Sequence, residues 1–180
     1  MEAPKLTVLK EALKEIIANR GFIPDQESFE LMHQIVPWPA VEVGVFNSRG
    51  ELLLHHRHFT EWPGEWANIE GWYVPGGYMK IGGDLEYWCR HHMEKDGVLS
   101  PIRFVETCGV IKWKPGEHSF SNPVSIACAC VLEGDLKLRA GEESHFKFTD
   151  VVVESPIPHH TELQEMLFQG WARRHTLLER

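Results

Sequence analysis

A glycine-rich turn followed at once by a charged helix is the part of this chain best suited to chemistry. The segment runs from Val74 to Val98 and reads VPGGYMKIGGDLEYWCRHHMEKDGV. Asp84 is a good helix N-cap, because its carboxylate can accept hydrogen bonds from the free amides of the first turn. The sequence therefore predicts a helix over about 84–95, beginning beside a turn where backbone groups can approach a ligand closely.

The two faces of this helix carry different residue types. Helical spacing predicts that one face lies against a sheet and carries Leu85, Trp88, Cys89, His92 and Met93. The opposite face carries Tyr87, Arg90, His91 and Glu94. A cation, an imidazole and a carboxylate are thus presented together next to the glycine-rich turn.

Strands and helices predicted elsewhere in the chain would position this segment. Apolar runs predict strands over 40–46 and 51–57, joined by a hairpin turn, and further strands near 102–113, 124–133 and 145–152. A loop is expected over 58–71, and a closing helix over 161–178 with Leu163, Met166, Leu167 and Trp171 facing inward. The first twenty residues read as an amphipathic helix, with a second short helix over 25–34. We expect a helical extension over 1–24 and a single α+β domain over 25–180.

Composition and charge exclude several classes of function. The net charge of -8 over 180 residues argues against a sequence-independent nucleic-acid binder, which needs a positive face. A small phosphate-bearing ligand remains compatible, because it needs only a local basic site or a bound cation. The four cysteines form no C-x-x-C pair and are expected to be reduced core thiols. We find no signal peptide and no membrane span, and expect the protein in the cytoplasm.

The glycine turn and the helix after it resemble the Nudix box, G-x5-E-x7-R-E-U-x-E-E-x-G-U. Gly76 and Gly77 match the glycine turn, Arg90 the arginine, Glu94 the first of two adjacent metal-binding glutamates, and Gly97-Val98 the closing pair. The resemblance implies an α/β/α sandwich with a mixed sheet, in a divalent-metal-dependent hydrolase of nucleoside diphosphates linked to another group. VFNSRGELLLHHR followed by YVPGG is similar to the GDP-mannose mannosyl hydrolase branch, which attacks the sugar carbon.

The match to the box is incomplete at its acidic positions. Gly83 stands where the first glutamate is expected, His91 replaces the glutamate after the arginine, and Lys95 replaces the second metal-binding glutamate. On the helix the set is the His91 imidazole, the Glu94 carboxylate and the Lys95 ammonium. Relative to three glutamates the charge of this set changes by about three units, each worth roughly 4 kcal/mol at ~4 Å and an effective dielectric near 20. Tight Mg²⁺ binding by this helix alone is therefore not expected, whereas His91 and Glu94 can chelate a softer ion such as Mn²⁺ or Zn²⁺.

The resemblance also implies roles for individual residues. Arg57 would neutralise diphosphate charge, as a guanidinium does through bidentate contacts, and His91 or His145 would activate water. Arg90, Trp66 and Gly77 would contact the substrate. Metal ligands would be the Gly76 carbonyl, Glu94, and Glu142 or Glu143, which precede FKFTD at the late Nudix strand. Each has a plainer alternative: a solvated arginine, an acidic turn, or a tryptophan that only packs.

Two functions remain open from the sequence. The first is a hydrolase of a nucleoside diphosphate derivative, such as a nucleotide sugar, that uses Mg²⁺ or Mn²⁺. The second is a catalytically inactive Nudix-fold protein that binds a nucleotide or a protein partner, which Gly83 and Lys95 favour. A homodimer formed through the N-terminal and C-terminal helices is compatible with either function.

Overall fold

The structure is a computed structural model, and it describes residues 36–59, 69–80, 82–113 and 123–178 with isolated positions between 11 and 18. Those isolated positions have helical backbone, in agreement with the helix predicted for the start of the chain. The rest of that helix, the short helix predicted over 25–34, and Trp66 lie outside the described residues. The boundary predicted near residue 24 lies there too, and stays a prediction.

The described residues form seven strands, two longer helices and one short 3-10 turn. The strands are β1 (Pro39–Phe46), β2 (Leu52–Phe59), β3 (Ile69–Tyr73), β4 (Gly76–Tyr78), β5 (Ile102–Lys112), β6 (Val124–Leu132) and β7 (Phe146–Thr149). The helices are α1 (Leu85–Asp96) and α2 (Pro158–Leu178), and the 3-10 turn is Glu143–His145. Five of these strands match predicted ones. Strands β3 and β4 were not predicted, because their Gly- and Trp-rich sequences lack alternating apolar residues.

The sheet is mixed, and its two central strands, β1 and β2, are paired only next to the turn that joins them. Strand β1 pairs in parallel with β6 and antiparallel with β4, and β6 pairs with β5. Strand β2 pairs antiparallel with β3 and β7. The register between β1 and β2 themselves is confined to Phe46 and Leu52, next to the turn. Beyond the turn, β1 therefore pairs with β4 and β6, while β2 pairs with β3 and β7.

One helix covers each face of the sheet, which gives the α/β/α sandwich that the resemblance implied. On one face Trp88, Cys89 and Met93 of α1 pack with alternate valines of β1. On the other face Leu163 and Leu167 of α2 are fully buried against Phe46, Leu52 and Leu54. Burial of each leucine stabilises the fold by about 1.5–3 kcal/mol. The inward-facing residues predicted for both helices are confirmed.

Local signals set both ends of α1. The Asp84 side chain accepts a hydrogen bond from the Tyr87 amide at 2.8 Å, as the N-cap prediction required. Gly97 ends the helix with a left-handed φ of 105°, and its amide donates to the Glu94 carbonyl at 3.1 Å. A residue with a Cβ is strained at this φ. Asp96 is thereby fixed as the last helical residue.

Helix α2 begins three residues earlier than the sequence indicated. It starts at Pro158, a residue whose missing amide and fixed φ suit the first helical position. His159 and His160 are buried in its first turn. Neither helix, within the ranges that the structure describes, is both long and apolar enough to cross a bilayer.

Candidate functional site

Charged side chains from strand β2 and from the helix itself meet at the carboxyl end of α1. Asp96, whose side chain is 5% exposed, lies with Oδ1 3.7 Å from Arg57 Nη2. Its other oxygen, Oδ2, lies 3.6 Å from Nδ1 of His55. Arg57 is more accessible, with 34% of its side chain exposed. A buried carboxylate thus lies behind a guanidinium that reaches the surface.

Asp96 keeps its charge despite its burial. Burial by itself would raise the pKa of this carboxyl, but the nearby His55 imidazole and the charge of Arg57 hold the pKa below its ordinary value. The sequence analysis missed Asp96, which occupies an unspecified position of the Nudix box. A signal was available, since a helix-face argument extended by one turn places an acid at 96 on the same side as His92.

A histidine–carboxylate pair lies next to the end of α1. Nδ1 of His145 is 3.0 Å from Oε2 of Glu142, and the two side chains are 48% and 30% exposed. Glu142 packs against Gly97, where a Cβ would meet its side chain. A carboxylate on Nδ1 favours the tautomer that leaves Nε2 as a proton acceptor. Glu143 is used differently, because its carboxylate accepts from the Gly141 amide at 2.9 Å.

The pairing of β2 with β7 links the Glu142–His145 pair to Arg57. Phe146, the residue after His145, pairs with His55 across β2 and β7, and the two rings stack with centroids 4.4 Å apart. His55 contacts Asp96, which contacts Arg57. Arg57 contacts Asp96 and Glu142 packs on Gly97, so Arg57 and the Glu142–His145 pair both lie at the carboxyl end of α1.

The two glycines of the turn are needed for packing as well as for access. In strand β4 Gly76 lies opposite Glu42, and a Cβ there would collide with the Val41 carbonyl and the Glu42 carboxylate. A Cβ on Gly77 would overlap the imidazole of His92. Both glycines would therefore be required even if no ligand approached the turn.

Glu42 is a buried acid that the sequence analysis overlooked. Ser125 Oγ donates to its Oε1 at 2.9 Å, and Trp113 Nε1 donates to Ser125 Oγ at 3.0 Å. Burial raises the pKa of Glu42 to about 8, opposed by the Ser125 hydrogen bond and the charge of Arg57. The carboxyl is thus mostly protonated at neutral pH. A lone glutamate within the otherwise apolar AVEVGVF was the available signal.

The outer face of α1 is exposed, as predicted, but its residues interact mainly with one another. Arg90 pairs with Glu86 at 2.8 Å, and His91 stacks on the Tyr87 ring with centroids 5.9 Å apart. The Glu94 side chain is exposed, while its backbone carbonyl accepts from Arg139 Nη2 at 3.0 Å.

The donor set of α1 does not fit a preformed magnesium site. Mg²⁺ requires near-octahedral oxygen ligands, yet no three His, Cys, Asp or Glu side chains among the described residues are grouped to hold an ion. At Gly83, where the box has a glutamate, φ is +86° and a Cβ would overlap the Tyr87 ring. The backbone itself thus disfavours the missing glutamate.

Solved structures with the same fold are Nudix hydrolases. The MutT protein from Methanosarcina mazei Go1 is 16% identical with a TM-score of 0.55, over 77% of this chain and 96% of that one. A UDP-X diphosphatase is 15% identical with a TM-score of 0.54, over 95% and 82%. A possible asymmetric diadenosine tetraphosphate hydrolase from Jonesia denitrificans DSM 20603 is 15% identical with a TM-score of 0.57, over 78% and 98%.

These likenesses establish the fold and nothing finer. No family model matches the sequence, and no curated protein matches it. The chain has the Nudix fold, with a mixed sheet between helices.

Proposed function

We propose that this protein is a Nudix-type hydrolase that acts on a nucleoside diphosphate derivative, with nucleotide sugars as the first substrate class to test. The observation that carries the proposal is the convergence of Arg57 and the Glu142–His145 pair at the end of α1, within a Nudix fold. A cation for the diphosphate and a base for water are the two groups that such a hydrolysis needs.

The chemistry follows from the position of each group. Arg57 offers its exposed guanidinium edge to the diphosphate and stabilises the negative charge that develops on the leaving group. His145 accepts a proton from water at Nε2 as the water oxygen bonds to the attacked carbon or phosphorus. The bond to the leaving oxygen breaks, and that oxygen keeps the electron pair. Glu142 holds the imidazole and stabilises its protonated form.

The metal dependence implied by the resemblance finds only partial support in the donor set. Glu94 is the single carboxylate among the outer-face positions that matched acidic residues of the box, and Lys95 lies beside it. An Mg²⁺ or Mn²⁺ requirement is therefore an open part of the proposal, and the steps above depend on protein side chains alone.

A second candidate function is binding of the same ligand class without hydrolysis. The observation that favours it is the left-handed backbone at Gly83, which excludes an unstrained glutamate at that box position. Arg57 would then serve binding only, and the Glu142–His145 pair would be a surface contact.

Turnover of a panel of nucleotide sugars and other nucleoside diphosphate derivatives tests the proposal. The panel is run with Mg²⁺, with Mn²⁺ and with a chelator, on the wild-type chain and on His145→Gln and His91→Gln. General-base catalysis contributes about 10²–10⁴-fold, so His145→Gln should lower kcat by that factor. His91→Gln, whose ring stacks on Tyr87, should leave kcat within about twofold.

Each alternative result has a defined meaning. Loss of turnover in His91→Gln but not in His145→Gln would move the base to the outer face of α1. Nucleotide binding by calorimetry with no product over long incubation would select the second candidate. A wild-type chain that neither binds nor converts any panel member would refute both functions.

A further inference from the structure

We infer that Asp96 is a positioning residue for Arg57, holding the guanidinium so that its outward N–H groups face a bound diphosphate. The inference rests on the proposed function and adds a residue to it that the Nudix box does not specify. It concerns the ligand-binding half of the site and holds for either candidate function.

Asp96 is more deeply buried than Arg57, so it contacts the guanidinium from the protein interior. The Asp96 side chain is 5% exposed and that of Arg57 is 34% exposed, with Oδ1 and Nη2 3.7 Å apart. The carboxylate therefore contacts the guanidinium from the interior side. A planar guanidinium that is held at one edge has its other N–H groups in a fixed orientation.

The position of Asp96 is itself well determined. It is the last residue of α1, directly before the left-handed Gly97. Arg139 ties this end to the following loop, because its amide donates to the Gly97 carbonyl at 2.8 Å and its Nη2 donates to the Glu94 carbonyl at 3.0 Å. Groups that support a functional side chain are most effective when they lie on rigid elements.

The bonding of Asp96 is poorly suited to a purely structural role. Among the described residues its Oδ2 has no hydrogen-bond partner, and the nearest group is Nδ1 of His55 at 3.6 Å. A buried ion pair is weak evidence for a role in stability, because the cost of desolvating both charges offsets much of their attraction. The Asp96 charge lies directly behind an accessible arginine, so we assign it the role of orienting that arginine.

Asp96 is the ionised acid that contacts Arg57 at neutral pH. Glu42, on the neighbouring strand β1, also interacts electrostatically with Arg57, but its pKa of about 8 leaves its carboxyl mostly protonated there. Without the Asp96 charge, neither of these two acids would fix the orientation of the guanidinium. Its donors would then be less well aligned with a ligand, although the protein would have lost one negative charge near it.

This gives a test whose sign separates positioning from simple charge. The test measures binding of GDP, ADP and inorganic pyrophosphate by calorimetry to the wild-type chain, Asp96→Asn and the control Glu133→Gln. Removal of a nearby anion alone would strengthen binding of these anions. If Asp96 positions Arg57, the opposite is expected: the Kd of Asp96→Asn should be about tenfold higher than that of the wild-type chain. The control removes an exposed carboxylate that pairs with Arg103 at the surface and should leave Kd unchanged.

Two further variants keep the result decisive if Asp96→Asn folds poorly. Arg57→Lys preserves the charge but lacks the planar fork, so it should bind about as weakly as Asp96→Asn. In an Arg57→Gln background Asp96→Asn should cause no further loss, because the two changes remove one interaction. Thermal unfolding of every variant verifies that the folded chain is being compared.

The outcomes distinguish this inference from the proposed function. If the wild-type chain binds none of the three probes, the proposed function and the inference both fail. If the wild-type chain binds while Asp96→Asn binds as tightly or more tightly, only the positioning role is overturned. Wild-type affinity in Arg57→Lys would likewise overturn it, since a point charge would then suffice.

Discussion

The buried carboxyl of Glu42 should make the stability of this protein fall as pH rises, and Glu42→Gln should remove that fall. Burial raises the pKa of the Glu42 carboxyl from its ordinary value of 4.5 to about 8 in the folded chain. Between these values the folded chain holds one more proton than the unfolded chain, so a rise in pH favours unfolding. Below 4.5 the neutral carboxyl carries no such cost, and above about 8 the cost is constant.

The size of the effect follows from the same two values. Each unit of pKa shift corresponds to about 1.4 kcal/mol, so the full window of 4.5 to about 8 amounts to about 5 kcal/mol. Glutamine keeps the oxygen that accepts from Ser125 Oγ and cannot ionise. The free energy of unfolding of Glu42→Gln should therefore exceed that of the wild-type chain by an amount that grows through this window.

Urea unfolding at pH 5, 7 and 9 measures the difference. The gain from Glu42→Gln should be about 1 kcal/mol at pH 5 and about 4 kcal/mol larger at pH 9. Glu133→Gln, which removes an exposed carboxylate, should follow the pH dependence of the wild-type chain. If the stability curves of Glu42→Gln and the wild-type chain run parallel over this range, the carboxyl is already ionised in the folded protein and the reasoning is refuted.

Two further predictions concern the glycines of the box. Gly77→Ala should destabilise the fold by about 1–3 kcal/mol in urea unfolding, because its Cβ would overlap the His92 ring; an unchanged midpoint would contradict the packing described. Gly83→Glu, which restores the box glutamate, should cost about 1–3 kcal/mol from the left-handed backbone, and Tyr87→Ala in the same chain should recover the part due to ring overlap. Full stability of Gly83→Glu would show that the turn adapts.

The two halves of the candidate site differ in how the protein holds them. Arg57 and Asp96 lie on a strand and at a helix end, whereas His145 lies in a 3-10 turn beside that helix. Gly97 and Phe146 connect the halves, the first by packing on Glu142 and the second by stacking on His55. The distance between Arg57 and His145, which a ligand in contact with both halves would have to span, therefore depends on the position of the end of α1.

The sequence by itself determined the features that depend on neighbours along the chain. Asp84 and Gly97 set the ends of α1, because capping hydrogen bonds and a left-handed φ involve residues within one turn. The apolar runs of β1 and β6 likewise predicted strands, and the spacing of α2 predicted its buried face. Together with the box-like glycines they led to the Nudix fold that the solved structures share.

Only the tertiary structure decided what meets across the sheet. Strand β2 carries Arg57 to the end of α1, where it contacts Asp96 rather than the box residues of the outer face. Glu42 becomes a buried acid because β4 and β6 enclose it, and its high pKa depends on that enclosure. Which distant strands pair, and in which register, cannot be read from the periodicity of apolar residues along the sequence.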